Sequence, residues 1–269
     1  MIDNKYLISI DIDGTLRQDN GIISNNSKEI IKELVDKGHI VIICTARPKY
    51  HAEKVNNEIG ASRYIICLSG AEIYDSFKGK YIYESFLDKK ESLGIYNYAK
   101  ENNIRMMFTS GDKEYVTKFI RNKDQVLLTS DNENIVIESP IKECMIIDSD
   151  KEKIKSFEEY IKYEYNSNII VSSYSKDEAF LVIVSNNVSK GKALKTLRDY
   201  LGFKKEQIIS FGNDSNDISM FNESGKGIAV SNATDDLLEI ADDVTLSNND
   251  DGVAIYLRKL KWDYGKNIL

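Results

Sequence analysis

Apolar positions in the first 80 residues alternate between two periods. Residues 6–10 form a short run of apolar and β-branched side chains, the pattern of a strand buried on both faces. Over 27–37 the apolar residues Ile30, Ile31, Leu34 and Val35 follow helical spacing, and Gly38 stops the run. A second strand is predicted over 39–44, a helix over 48–59 with Pro48 near its start, and a third strand over 64–68. Strand and helix in alternation imply an α/β fold, a parallel sheet with helices on both faces.

The far end repeats that style. A helix is predicted over 190–201, a strand over 207–211, a short helix over 217–222, and short strands over 227–230 and 243–246. The middle is built differently. Helices over 89–102 and 151–163 are set among strand candidates at 104–109, 114–118, 144–148, 168–173 and 180–184. Paired strands between helices suggest an α+β unit with an antiparallel sheet. The expected organisation is therefore a core from residues 1–80 and 188–269, interrupted by an inserted domain over 81–187. The polar stretch 122–134 reads as a surface loop with turns.

Composition narrows the function. The 269 residues can bury a sizeable core, and 42% hydrophobic with 29% charged content is that of an ordinary globular chain. A net charge of −7 without a basic patch argues against nucleic acid or an anionic membrane as partner. Cys44, Cys67 and Cys144 are odd in number, lack metal-type spacing and lie in apolar runs, so buried small side chains are expected. No apolar segment approaches the roughly 20 residues that span a bilayer. Residues 1–5 lack the pattern of a signal peptide, which makes a cytoplasmic protein the expectation.

Four segments carry candidate chemistry. Asp11 and Asp13 stand two apart just past the first strand, followed by Gly14 and Thr15. In an open α/β sheet that is where ligands bind, and two crowded carboxylates call for a cation such as Mg2+ or a shared proton. Taken alone, Asp-Gly is also an ordinary turn. Thr45-Ala46-Arg47 follows the second strand and enters a helix, where a hydroxyl and backbone N–H groups can hold a phosphate oxygen or simply cap the helix. Lys190 opens a helix, the end where a cation is electrostatically awkward, so an anion nearby is expected. Lys192 reads as solvated. Gly212-Asn213-Asp214-Ser215-Asn216-Asp217 again sets acidic and amide side chains after a strand, more than one helix cap needs. Carboxylates, a hydroxyl, an ammonium and ligand oxygens together are the equipment of phosphoryl transfer by a nucleophilic carboxylate.

With these motifs in this order, the chain resembles the haloacid dehalogenase (HAD) superfamily phosphatases, in particular the Cof-type group with a large α/β cap. Asp11-Ile12-Asp13-Gly14-Thr15-Leu16 is similar to its first motif, Thr45-Ala46-Arg47 to the second, Lys190-Gly191 to the third and Gly212–Asp217 to the fourth. Residues 227–233 and 247–253 also resemble that group. Two positions depart: Ala46 stands where glycine is usual, and Asn213 where a metal-binding aspartate is usual. The resemblance implies a Rossmann-like core with an inserted cap that selects the substrate, and a Mg2+-dependent hydrolase of small phosphorylated metabolites such as a sugar phosphate, FMN or pyridoxal phosphate. It implies that Asp11 attacks phosphorus to form an aspartyl-phosphate, and that Asp13 serves as acid and then base. Mg2+ would be held by Asp11, the carbonyl of Asp13 and Asn213. Ile12, Thr45, the N–H of Ala46, Lys190 and Asn216 would bind the phosphoryl oxygens. Asp217 would hold Lys190, and Asp214 would support Asn213 or replace it as ligand. A phosphohexomutase-like transferase and a non-catalytic phospho-ligand sensor are the alternatives. Tyr83, Tyr96 and Tyr98 could contact a sugar or be packing residues.

Overall fold

Leu7, Ile8, Ser9 and Ile10 form β1 (Leu7–Ile10), and none of the four reaches solvent. A strand with both faces covered needs helices on each side, and the chain supplies them. The protein is described by a computed structural model over residues 5–118, 123, 125–129, 131–165, 167–174 and 178–260. Residues 1–4, on which the signal-peptide expectation rests, lie outside the described residues.

After β1 come α1 (Asn25–Asp36), β2 (Ile40–Cys44), α2 (Lys49–Ile59), β3 (Tyr64–Cys67), β4 (Glu72–Asp75) and β5 (Lys80–Glu84). Helix α1 begins two residues before the apolar spacing does, because the Ser24 side chain accepts from the Ser27 N–H at 3.0 Å and caps it. Pro48 sits at the N-cap of α2, just outside the helix. Next follow α3 (Lys89–Glu101), β6 (Arg105–Ser110), β7 (Lys113–Val116), β8 (Gln125–Leu127), α4 (Ile135–Glu138), β9 (Glu143–Asp148), α5 (Lys151–Glu164), β10 (Asn168–Tyr174) and β11 (Ala179–Val184). The chain ends with α6 (Lys190–Leu201), β12 (Ile208–Gly212), α7 (Ile218–Asn222), β13 (Lys226–Val230), α8 (Asp235–Ile240), β14 (Asp243–Thr245) and α9 (Gly252–Lys259).

Two compact units result, one running to Tyr83 and resuming at Ser189, the other Glu84–Val188. The first holds an eight-stranded sheet in the order β14-β13-β12-β1-β2-β3-β4-β5. From β14 to β3 neighbouring strands are parallel, whereas β4 runs antiparallel to β3. The sheet is thus mixed at one edge, where an all-parallel sheet was expected. The chain moves outward from β1 in one direction and from β12 in the other, so the boundary between β1 and β12 is a topological switch point.

The second unit carries a six-stranded sheet, β10-β11-β9-β6-β7-β8, antiparallel except between β7 and β8. Alternate positions Met106 and Phe108, Cys144 and Ile146, Leu181 and Ile183 form one core with Ile95 and Ala99 of α3 and Phe157 and Ile161 of α5. The expected loop over 122–134 is corrected in part. Residues 122, 124 and 130 lie outside the described residues, while Gln125–Leu127 pair in parallel with β7 as an edge strand. Among the described residues no helix is long and apolar enough to cross a membrane. All three cysteines are buried thiols.

Candidate active site

Asp11, Thr45 and Asn213 emerge from the C-terminal ends of three adjacent parallel strands, β1, β2 and β12. The Asp11 N–H donates to the Phe211 carbonyl at 3.1 Å, which prolongs the ladder to the first catalytic candidate. Its side chain is almost wholly buried. Lys190, at the first turn of α6, donates to Asp11 Oδ1 at 2.7 Å and to Asp217 Oδ1 at 2.6 Å. The anion expected beside this lysine is therefore a pair of carboxylates. Burial alone would lower its pKa, but Asp11 and Asp217 outweigh burial and hold it above the ordinary lysine value. Asp217 is fully buried, and its second oxygen accepts the N–H groups of Asn213 at 2.9 Å and Asp214 at 3.2 Å. One carboxylate thus ties the lysine to the loop after β12. Lys192, by contrast, is exposed.

Burial raises the Asp11 pKa to about 7 against the pull of Lys190, with Asp217 and Asp13 adding to the rise. Its Oδ2 lies on the side away from the lysine contact, 3.2 Å from the Asn213 amide, which also stands 3.0 Å from the Asp13 carbonyl and 2.8 Å from Thr15 Oγ1. Either end of that amide fits this place. With nitrogen inward it donates to all three oxygens; with oxygen inward it accepts from the Thr15 hydroxyl and joins the oxygens of Asp11 and Asp13. Adjacent ligands of an octahedral Mg2+ with metal–oxygen distances of about 2.1 Å stand roughly 3 Å apart. The spacings of 3.0 and 3.2 Å from the amide to the other two oxygens fit that edge. Among the described residues no group of three His, Cys, Asp or Glu side chains gathers into a metal cluster. The donor set here is one carboxylate, one main-chain carbonyl and one amide oxygen. Gly14 is required beside it: φ is +78°, and a Cβ would lie 2.5 Å from the Asn213 amide nitrogen. Asp214 stands apart, exposed, with its carboxylate accepting from the Ser215 N–H at 2.7 Å and so capping the next turn.

Asp13 is the exposed carboxylate, with 47% of its side chain open to solvent. Arg47 grips it through Nε at 2.5 Å and a terminal nitrogen at 2.8 Å, and Arg17 adds a contact at 3.1 Å. Burial alone would raise its pKa, but the two guanidinium groups hold it below the usual carboxylate range. These arginines were missed in the sequence. Arg17 is four residues after Asp13, and Arg47 closes the Thr45-Ala46-Arg47 motif, yet spacing alone does not join 13 to 47. Thr45 is buried, and its hydroxyl oxygen accepts the Arg47 N–H at 3.2 Å. The N–H groups of Ile12 and Ala46 have no hydrogen-bond acceptor among the described residues. Asn216 is half-buried, its Oδ1 without a partner there. Tyr98 stacks on Tyr160 at 4.2 Å, Tyr96 bonds Glu133 at 3.0 Å, and Tyr83 packs on the first unit's core.

A buried carboxylate on a buried lysine, at the switch point of a largely parallel sheet, is the placement of a ligand site in an open α/β fold. The profile of the haloacid dehalogenase-like hydrolases matches residues 8–257, and the chain belongs to that family, as a phosphatase. It is 27% identical over 264 residues to the 5-amino-6-(5-phospho-D-ribitylamino)uracil phosphatase YitU of Bacillus subtilis, covering 94% of this chain and 97% of that one. The phosphatase YcsE of the same organism, named for the same substrate, is 29% identical over 252 residues, covering 94% of each. The crystal structure of TM0651 from Thermotoga maritima superposes with a TM-score of 0.84 at 27% identity, over 96% of this chain and 98% of that one.

Proposed function

We propose that the chain hydrolyses small phosphomonoesters through an aspartyl-phosphate on Asp11, with Mg2+ held by Asp11 Oδ2, the Asp13 carbonyl and Asn213. The observation that carries this reading is the division of the Asp11 carboxylate: Oδ1 is held by Lys190 while Oδ2 stands 3.2 Å from the Asn213 amide, which also meets the Asp13 carbonyl at 3.0 Å. When bound, Mg2+ would neutralise phosphate charge and keep Asp11 ionised despite its burial. Oδ1 attacks phosphorus, the ester P–O bond breaks, and the departing oxygen takes the proton of Asp13. Asp13 then removes a proton from water as that water attacks the aspartyl-phosphate, which frees phosphate and restores the Asp11 carboxylate. Lys190, the Thr45 hydroxyl, the N–H groups of Ile12 and Ala46 and the Asn216 amide bind the phosphoryl oxygens. The arginines hold Asp13 ionised, so an arriving phosphate must compete for Arg47 and Arg17 before Asp13 can carry its proton. Residues 84–188 are assigned the choice of leaving group.

The substrate for which YitU and YcsE are named, a phosphate on a ribityl chain, supports a phosphorylated polyol, sugar or cofactor as substrate class. The test is a phosphate-release screen over sugar phosphates, FMN, pyridoxal phosphate and that ribityl compound, with Mg2+ and with EDTA. Release that needs Mg2+ supports the reading. Transfer of the phosphate to a second sugar position, or release undiminished by EDTA, overturns it.

A further inference from the structure

Three successive residues, Leu68, Ser69 and Gly70, take φ values of +47°, +53° and +102°. Leucine and serine are not residues that favour this left-handed region, because their Cβ crowds the backbone there. With Ala71 the three form the connection between β3 and β4, whose last paired residues are Cys67 and Glu72. All three are buried. Such outliers persist only where their surroundings over-determine them, and they concentrate at functional sites.

The surroundings here are the segments that present the proposed phosphate ligands. The Leu68 N–H donates to the Arg47 carbonyl at 3.1 Å, and the Ser69 N–H to the Thr45 carbonyl at 3.0 Å. Those two bonds bracket Ala46, whose own N–H is a candidate donor to phosphate. On its other side the turn meets α6: a Cβ on Gly70 would lie 2.3 Å from the carbonyl oxygen of Ser189, the residue before Lys190. Ser69 Oγ is buried without a hydrogen-bond partner among the described residues, so the side chain does not fasten the turn. The backbone conformation does.

We propose that the Leu68–Gly70 turn is a positioning element that fixes Thr45–Arg47 against the Lys190 end of α6. Its left-handed geometry aims two N–H groups at the carbonyls on either side of Ala46. This inference rests on the phosphatase reading above, since it assigns the turn a share in placing that reaction's ligands.

Two variants separate conformation from hydroxyl. Ser69→Gly makes positive φ easy and frees the neighbouring conformations, whereas Ser69→Ala keeps the Cβ and removes only Oγ. For Ser69→Gly we expect kcat to fall by about fivefold or more, KM to stay within about twofold and the melting temperature not to drop, since misplaced ligands slow chemistry more than binding. Backbone amide exchange at positions 68 and 69 should quicken. Ser69→Ala should keep kcat within about twofold of the unmodified protein. Unchanged kcat in Ser69→Gly overturns the proposal, and so does an equal fall in both variants, which would assign the effect to the hydroxyl. If the unmodified protein releases no phosphate, the reaction itself has failed. Amide exchange then decides the restraint: faster exchange in Ser69→Gly supports it, and unchanged exchange overturns it.

Discussion

Lys190 neutralises two buried carboxylates at once, so Lys190→Met would strand both Asp11 and Asp217. Breaking a buried ion pair from one side is destabilising by about 3–5 kcal/mol, and a urea titration should find a loss of that order. The opposite is expected of Asp11→Asn. Lys190 keeps Asp217, a desolvated charge disappears, and the melting temperature should hold or rise while turnover falls by at least about a thousandfold. Residual activity within tenfold of the unmodified protein would refute Asp11 as nucleophile. Asn213 and Asp214 differ in the same concrete way. The Asn213 amide meets the oxygens of Asp11 and Asp13, so Asn213→Ala should raise the Mg2+ concentration for half-maximal rate by about tenfold. Asp214→Ala removes a turn cap, which should weaken stability by about 1 kcal/mol and leave the Mg2+ requirement unchanged. Equal Mg2+ requirements in both variants would refute this division of roles.

At the scale of elements, the pieces with a clean period were legible and the short polar ones were not. Helix α6 shows its buried face as Ala193, Leu194 and Leu197, and the predicted bounds coincide with those observed. Strand β4, absent from the sequence reading, begins and ends with Glu72 and Asp75, two acids that are nonetheless buried. Asp75 is satisfied by Arg63 at 2.7 Å and by the N–H groups of Phe77 and Lys78, contacts that no local pattern announces. Active-site candidates were legible for a related reason: Asp11, Thr45 and Asn213 stand directly after apolar strands, and Lys190 at the start of a helix with a clean period. The Arg47–Asp13 pair was not, because it joins two strand ends 34 residues apart. His39, at the entrance to β2, gives this scale its own test. It is buried, its Nδ1 accepts the Tyr6 N–H at 3.2 Å, and burial holds its pKa down to about 4. An unfolded histidine takes its proton near pH 6.5. Between those values the unfolded state binds more protons, so stability falls as pH drops from about 6.5 towards 4. His39→Asn keeps an acceptor for Tyr6 without the ionisation. Going from pH 7 to pH 5, the stability difference should shift by about 2 kcal/mol in the variant's favour, and an unchanged difference would refute the assignment.

At the scale of the whole molecule, the chain forms two compact units with separate cores. The second contains its own apolar cluster, from Leu87 through Phe108 and Phe157 to Ile183, drawn entirely from residues inside Glu84–Val188. Among the described residues its six strands pair with one another in a sheet of their own. Both features are those of a domain able to fold alone, and about 100 residues is a common domain size. The segment 84–188, expressed by itself, should therefore show α/β circular dichroism and a single cooperative urea transition, while releasing no phosphate from any ester. The lack of activity follows from placement: Asp11, Thr45, Lys190 and Asn213 all belong to the other unit. A segment that stays unfolded in native buffer would show that the insertion depends on the first unit for its structure. Phosphate release from the isolated segment would contradict the assignment of chemistry to the ends of β1, β2 and β12.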